Sequence, residues 1–235
     1  MKGRINSFLS MGAADGPGVR FVVFLQGCAL RCSYCHNPET WAPEDGAEWG
    51  MEEIAKKVLR YRPYFGIQGG VTISGGEPLL QWKFTAALLS RLKEEGIHTV
   101  LDTSGIGNLD GADEVLNYTD LVMCDLKFAD NTGYRAYCGG TLDHVLRFLK
   151  RTEEKSVPLW IRHVVVPGLT DQPETVKKIL GLGERFSNFQ RLELLPFHKM
   201  CLGKYEAMGL SFPFSDFPEC SQQKIQALRR IVNKM

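Results

Sequence analysis

Six short apolar runs, most followed by a stretch of helical periodicity, narrow what this chain can fold into. The runs lie at residues 20–26, 70–74, 98–103, 120–126, 159–166 and 191–197. They are rich in Val, Ile, Leu and Phe and are bounded by Gly, Pro or Asp, which is how strands read in sequence. Segments 51–62, 81–96, 141–154 and 171–186 instead repeat apolar residues at three- and four-residue spacing, as helices do. Ile54, Val58 and Leu59 fall on one side of the first; Phe84, Leu88, Leu89 and Leu92 on one side of the second, with Gly96 as its stop. A last helix is predicted over 221–234, with Ser221 as N-cap. Repeated strand–helix alternation argues for a parallel sheet, open or closed into a barrel. Six units are fewer than the eight of a full barrel.

The chain has 235 residues, enough to bury a sizeable core, and 44% of them are hydrophobic. It carries no internal repeat, low-complexity tract or Pro/Ser-rich linker, so one domain over 1–235 is expected, with its core at about 15–200. Net charge is +1 and no basic block stands out, which speaks against nucleic acid or an anionic membrane as partner. The N-terminus lacks the apolar core of a signal peptide, and the run 21–25 is far too short to span a bilayer. A cytoplasmic address follows, where thiols stay reduced. The seven cysteines, an odd number, then read as metal ligands or catalytic groups before disulfides.

Polar residues gather where the predicted strands end. Gly27 and Cys28 follow the first strand and residues 74–78 (SGGEP) the second; Asp102 and Thr103 end the third, Asp125 and Lys127 the fourth, and His198 follows the sixth. Parallel α/β folds build their sites at that end. Strand parity puts Met123, Asp125 and Lys127 on one face and Cys124 and Leu126 on the other. Asp125 and Lys127 therefore belong to the site, and Cys124 to the packing between sheet and helices.

Cys28, Cys32 and Cys35 are spaced C-x3-C-x2-C within one loop. Three thiolates suit an iron–sulfur cluster, whose fourth iron is then free to take an outside ligand. The competing reading is a zinc site completed by His36 or by a distant Cys or His.

That spacing, with the aromatic Tyr34 before the last cysteine, resembles the signature of the radical S-adenosylmethionine superfamily. Residues 15–41, 69–81, 101–105, 120–127, 160–168 and 193–198 resemble, in order and spacing, the activases of glycyl radical enzymes, and the pyruvate formate-lyase type above all. The likeness spans about residues 3–210. It implies an α/β fold, a partial (β/α)6 TIM-like barrel, open laterally. It implies one 4Fe–4S cluster on Cys28, Cys32 and Cys35, and S-adenosylmethionine bound by Tyr34, Cys35, His36, Gly76, Asp125, Leu126, Lys127, Arg162 and His198. A monovalent cation, Na+ or K+, is implied at Asp102, Thr103, Met123 and Asp125, with Met123 giving its backbone carbonyl. Ser104 stands where relatives often have Asn, with little effect expected. Arg162 lies mid-strand and needs a buried partner, either a site carboxylate or a structural ion pair. Asp15 matches a loop at the entrance for the protein substrate, and a plain turn reads equally well there.

The activity so implied is hydrogen abstraction from a glycine Cα of pyruvate formate-lyase by a 5′-deoxyadenosyl radical, with flavodoxin or ferredoxin as electron donor and the activase a monomer. Beyond the cluster and the cofactor no catalytic residue is required. Several relatives carry an extra cysteine-rich insert after the first motif; no Cys occurs here between Cys35 and Cys124, which favours the pyruvate formate-lyase type. Another target, such as anaerobic ribonucleotide reductase, and a small-molecule radical enzyme are the alternatives. Cys124, Cys138, Cys201 and Cys220 are scattered and read as structural; Cys201 falls in a departure from the family's run after His198.

Overall fold

The computed structural model describes residues 1–232. Its chain runs β1 (Lys2–Gly12), β2 (Arg20–Leu25), β3 (Ala47–Gly50), α1 (Met51–Leu59), α2 (Arg62–Phe65), β4 (Gly70–Gly75), α3 (Trp82–Glu94) and β5 (His98–Thr103). It continues through α4 (Leu109–Leu116), β6 (Leu121–Asp125), α5 (Asn131–Tyr137), α6 (Leu142–Glu154), β7 (Leu159–Val165), α7 (Pro173–Gly183), β8 (Phe189–Pro196), α8 (Leu202–Ala207) and α9 (Gln222–Val232). One eight-stranded sheet has the order β3-β1-β2-β4-β5-β6-β7-β8. From β2 to β8 the six strands are parallel, and they are the six apolar runs. β1 and β3 add antiparallel pairs at one edge. The sheet does not close: β3 and β8 are its two edges. This is the laterally open, partial barrel that the family resemblance implies.

Both faces of β2, β4, β5 and β6 are buried, which is why these strands read as continuous apolar runs, whereas β7 and β8 alternate or are partly exposed. Val122, Cys124 and Ile161 lie in the large core with Val145, Phe148 and Leu149 of α6, while Val100, Leu121 and Met123 form a small inner cluster against Trp160. Each such side chain is worth about 1.5–3 kcal/mol by burial. Cys124 is fully buried in the outer core, as parity requires. Arg20 fills the N-terminal end of the inner face. It is fully buried and donates to the Thr72 hydroxyl (3.0 Å) and to the carbonyls of Gln68 (3.3 Å) and His98 (3.2 Å). Burial, partly offset by Asp120 and Asp15, lowers its pKa to about 10.

Caps fix where helices begin. Asn108, Asp130 and Thr141 accept from the backbone N–H groups of Gly111, Gly133 and His144. Ser221 accepts from Lys224 N–H at 3.2 Å, as predicted for α9; residues 233 and 234 of the predicted helix lie outside the described residues.

Six elements escape the sequence reading, among them the four-residue α2. β1 alternates in burial and carries Arg, Asn and Ser, so it lacks the apolar density of the parallel strands. β3, α5 and α8 are short, at four, seven and six residues. α4 holds Gly111 in its interior, ordinarily a mark against helix. A Cβ at Gly111 would stand 2.3 Å from the Trp82 ring, so the glycine lets α3 and α4 touch.

Candidate active site

The loop after β2 carries the three cysteines and is tied down on several sides. Gly27 N–H donates to Thr40 O (2.7 Å), Cys28 N–H to Trp41 O (3.2 Å) and Glu77 N–H to Gly27 O (2.8 Å). The Gln26 amide donates to the carbonyls of Glu39 (2.8 Å) and Ala42 (2.9 Å). From α8, the Tyr205 hydroxyl donates to Cys35 O (3.2 Å) and Lys204 Nζ to Asn37 Oδ1 (2.8 Å). Gly76 is packed under this loop. A Cβ there would lie 2.1 Å from Gly27 O and 3.0 Å from Thr40 O, so the loop itself forbids a side chain.

Cys28, Cys32, Tyr34, Cys35, His36, Gly76, Asp102, Thr103, Asp125, Lys127 and Arg162 line one cavity at the C-terminal ends of the strands. Burial first, then the charge of Glu77, pushes the Cys28 thiol up to about 12; burial raises Cys35 to about 11. Unmetallated, these thiols hold their protons, and a soft metal must displace them. Among the described residues no three Cys, His, Asp or Glu groups converge on a single ion. Three thiols lining one cavity are a donor set that suits a polynuclear iron–sulfur cluster. The donor set therefore fits the iron–sulfur reading.

Opposite the thiols sits a network of four charges. Arg162 donates to Asp102 (2.7 Å) and to Asp125 (3.3 Å), and Lys127 Nζ donates to Asp125 (3.0 Å). Register explains the grouping: Asp102 pairs with Met123 across β5 and β6, and Asp125 with Arg162 across β6 and β7. Burial opposes the Asp125 carboxylate, yet Lys127 and Arg162 outweigh it and hold its pKa at about 2. At Asp102 burial prevails over Arg162 and the pKa is raised. Arg162 thus has its site carboxylates as partners. It also occupies the space between Asp102 and Asp125 where a monovalent cation was expected.

Four expected residues lie outside the cavity lining. His198 stands beside it: its ring stacks on His36 with centroids 4.3 Å apart, and its carbonyl accepts from His36 Nε2–H at 2.9 Å. Burial lowers the His36 pKa. Leu126 faces the outer core, its N–H donates to Arg162 O (2.9 Å) and its carbonyl accepts from His163 Nδ1 (2.7 Å). Both backbone groups are thus engaged within the protein, and the carbonyl keeps a second lone pair for a ligand. Met123 is in the inner cluster, mid-strand between Asp102 and Trp160. The Asp15 carbonyl accepts from the Thr72 hydroxyl (2.7 Å), so its segment crosses the inner face of the sheet. Burial, partly offset by Arg162 and Arg20, raises the pKa of the Asp15 carboxyl.

Several supporting residues were missed. Glu77 is fully buried and accepts from Leu79 N–H (3.0 Å), the Thr103 hydroxyl (2.6 Å), and Ser104 N–H (2.9 Å) and hydroxyl (2.5 Å). Burial raises its pKa against those bonds. Ser104, expected to matter little, is thus a double donor to a buried carboxylate. Ser74 donates to Asp102 (2.7 Å), and the Tyr134 hydroxyl accepts from Lys127 N–H (3.0 Å). Parity identified Asp125 and Lys127; no periodicity marks a residue whose role is to hold another in place.

A family model described as the radical SAM superfamily matches residues 22–179. The chain belongs to that superfamily. Within it, the chain groups with the pyruvate formate-lyase-activating enzymes. A protein of that name from Clostridium pasteurianum is 45% identical over 234 residues, covering 99% of this chain and 98% of that one. Another from Staphylococcus aureus is 39% identical over 241 residues, covering 99% and 96%. A solved domain of a pyruvate-formate lyase-activating enzyme from Bacteroides vulgatus aligns with a TM-score of 0.58 at 26% identity, over 71% of this chain and 94% of that one. A radical SAM methyltransferase from Sphaerobacter thermophilus aligns with a TM-score of 0.67 over 92% of this chain and 64% of that one; at 14% identity it shows the shared fold alone. Radical SAM membership implies a 4Fe–4S cluster and S-adenosylmethionine as the cofactors.

Proposed function

We propose that this chain, as one domain over 1–235, activates pyruvate formate-lyase by generating a glycyl radical on it. The observation that carries the reading is the cavity whose one wall is the three-cysteine loop and whose other wall is the Asp102–Arg162–Asp125–Lys127 network. Bound together, a reduced 4Fe–4S cluster and S-adenosylmethionine supply one-electron cleavage to a 5′-deoxyadenosyl radical that takes a glycine Cα hydrogen.

The protein's own part is binding, orientation and exclusion of water. Cys28, Cys32 and Cys35 would hold the cluster through their thiolates. Lys127 and Arg162 are the cations available to a cofactor carboxylate, since both line the cavity. Gly76 offers backbone for the methionyl amine. Tyr34, His36 and His198 frame the nucleoside side, where the stacked His36–His198 pair is a flat wall. No side chain needs to move a proton, because the reaction is a hydrogen-atom transfer.

A Na+ or K+ ion on Asp102, Thr103, Asp125 and the Met123 carbonyl requires Arg162 to leave the gap it spans, which a cofactor carboxylate would induce by attracting the guanidinium. Asp15 lies on the segment that crosses the inner face of the sheet, and this segment would border the entry of a glycine-bearing loop of the partner. The electron donor is flavodoxin or ferredoxin, the state monomeric and the location cytoplasmic. Among the described residues no helix is long and apolar enough to cross a membrane.

The test is anaerobic EPR of the reconstituted, reduced protein with S-adenosylmethionine and a pyruvate formate-lyase. A glycyl radical doublet is expected, lost in Cys28→Ala, Cys32→Ala and Cys35→Ala together with iron and sulfide. Release of 5′-deoxyadenosine without a doublet would point to a different target, and undiminished release from the cysteine variants would refute the ligand assignment.

A further inference from the structure

The peptide that carries Lys127 finds no partner in the sheet. β6 pairs with β5 as far as Cys124 and with β7 as far as Asp125. Leu126 N–H, donating to Arg162 O at 2.9 Å, makes the last rung. The next peptide joins Leu126 to Lys127, and side chains take both of its polar groups. Its C=O accepts from His163 Nδ1–H at 2.7 Å, and its N–H donates to the Tyr134 hydroxyl at 3.0 Å. That hydroxyl donates in turn to Asp125 O at 3.4 Å, so Tyr134 holds the backbone on both sides of Leu126. Both clamping side chains are buried, His163 at 1% exposure and Tyr134 at 0%.

Volume alone does not call for either polar atom. His163 Nε2 is buried with no hydrogen-bond partner among the described residues. A side chain kept only to fill space would not carry that unpaired nitrogen, so the gain lies at Nδ1. Tyr134 belongs to α5, and its ring meets Phe128 edge-on at 6.2 Å; Phe would keep that packing. What the two polar atoms achieve together is to fix one peptide plane. The residue that leaves this plane is Lys127, which lines the cavity with its Nζ 3.0 Å from Asp125. A lysine stem is flexible, so where its ammonium rests depends on how firmly its backbone is held.

Resting on the reading of Lys127 as a partner of the cofactor carboxylate, we infer that Tyr134 and His163 are positioning residues that clamp the Leu126–Lys127 peptide and so hold the Lys127 ammonium where the carboxylate binds. Neither lines the cavity, and both act through Lys127.

The experiment is calorimetry of S-adenosylmethionine binding to the reconstituted, unreduced protein, in which the cofactor is not cleaved. Wild type is compared with Tyr134→Phe, Lys127→Met and the double variant, each checked for fold by urea denaturation. Lys127→Met should raise the Kd about tenfold, as loss of a charge-assisted hydrogen bond does. Tyr134→Phe should raise it about fivefold in the wild-type background and less than about twofold in the Lys127→Met background, because its effect passes through Lys127. The same factor in both backgrounds is the mark of a clamp that serves the fold alone. That result, or an unchanged Kd in Tyr134→Phe, overturns the inference while the reading of Lys127 stands. An unchanged Kd in Lys127→Met overturns that reading, and the inference with it. Where Lys127→Met does not fold, two variants of His163 decide. His163→Asn keeps an amide N–H near the place of Nδ1 and should bind as wild type does, whereas His163→Leu should bind about fivefold more weakly; equal binding by the two overturns the inference.

Discussion

Asp125 is the residue on which the charge network turns. It alone meets both cations, Lys127 at 3.0 Å and Arg162 at 3.3 Å. Asp125→Asn keeps the shape and removes the charge, leaving two buried cations facing only Asp102. Breaking a buried ion network in this way costs about 3–5 kcal/mol, which urea denaturation should show as a lowered midpoint with unchanged slope. The pH dependence follows from the depressed pKa. Stability from Asp125 is fully present above the ordinary Asp value near 3.9 and drains as pH falls through about 2. Asp102, with a raised pKa, runs the other way: the fold takes up that proton before the unfolded chain does, which favours the fold as pH falls. Wild type should therefore lose more stability than Asp125→Asn between about pH 4 and pH 2. Parallel acid limbs in the two proteins would show that Asp125 is not ionised through the network.

At the scale of elements, the cysteine loop is held by its neighbours more than by itself. Gly76→Ala tests the turn beneath it, because the new Cβ meets backbone, Gly27 O at 2.1 Å, which cannot rotate away. Overpacking of this kind costs about 1–3 kcal/mol. The variant should lose that much by denaturation and bind S-adenosylmethionine more weakly in calorimetry; wild-type stability would mean the loop is free to shift. Tyr205→Phe tests the clamp from α8 by removing one donor to Cys35 O. It should keep its fold, since the ring stays packed, and hold less iron after reconstitution in the presence of a competing chelator; equal retention would mean that the bond does not steady the loop. These elements also mark what sequence can and cannot disclose. β2, β4, β5 and β6 were legible because burial on both faces leaves dense apolar runs, and the site followed because parallel strands present their ends together. Tyr205 and Glu77 were not legible as supports, since their roles arise from contacts made across about 170 and 27 positions of chain, between Tyr205 and Cys35 and between Glu77 and Ser104. Arg162 was legible as a buried cation in need of a partner, while its place between Asp102 and Asp125 came only from the strand register.

For the molecule as a whole, what matters is that the barrel is incomplete. β8 is an edge strand, and beside it a groove is lined by Ala14 from the segment after β1, by Leu192, Leu194 and Leu195 of β8, and by Arg229 and Val232 of α9. Arg229 donates to Leu194 O at 2.9 Å, covering part of the edge. The Asp15 segment crosses the inner face here and is bonded to Thr72 through a backbone carbonyl. A small cofactor can reach the cavity from the strand ends, whereas a glycine on another protein needs the wider open side. The two routes are separable by one substitution. Ala14→Trp places a large ring in the groove, which shares only Leu195 with the lining of the cavity. Binding of S-adenosylmethionine and release of 5′-deoxyadenosine in the absence of partner should then match wild type. The yield of glycyl radical on pyruvate formate-lyase should fall tenfold or more, a barrier increase of about 1.4 kcal/mol. If radical yield and cofactor cleavage fall together, the groove is coupled to the cavity itself; if neither falls, the partner glycine enters from another side.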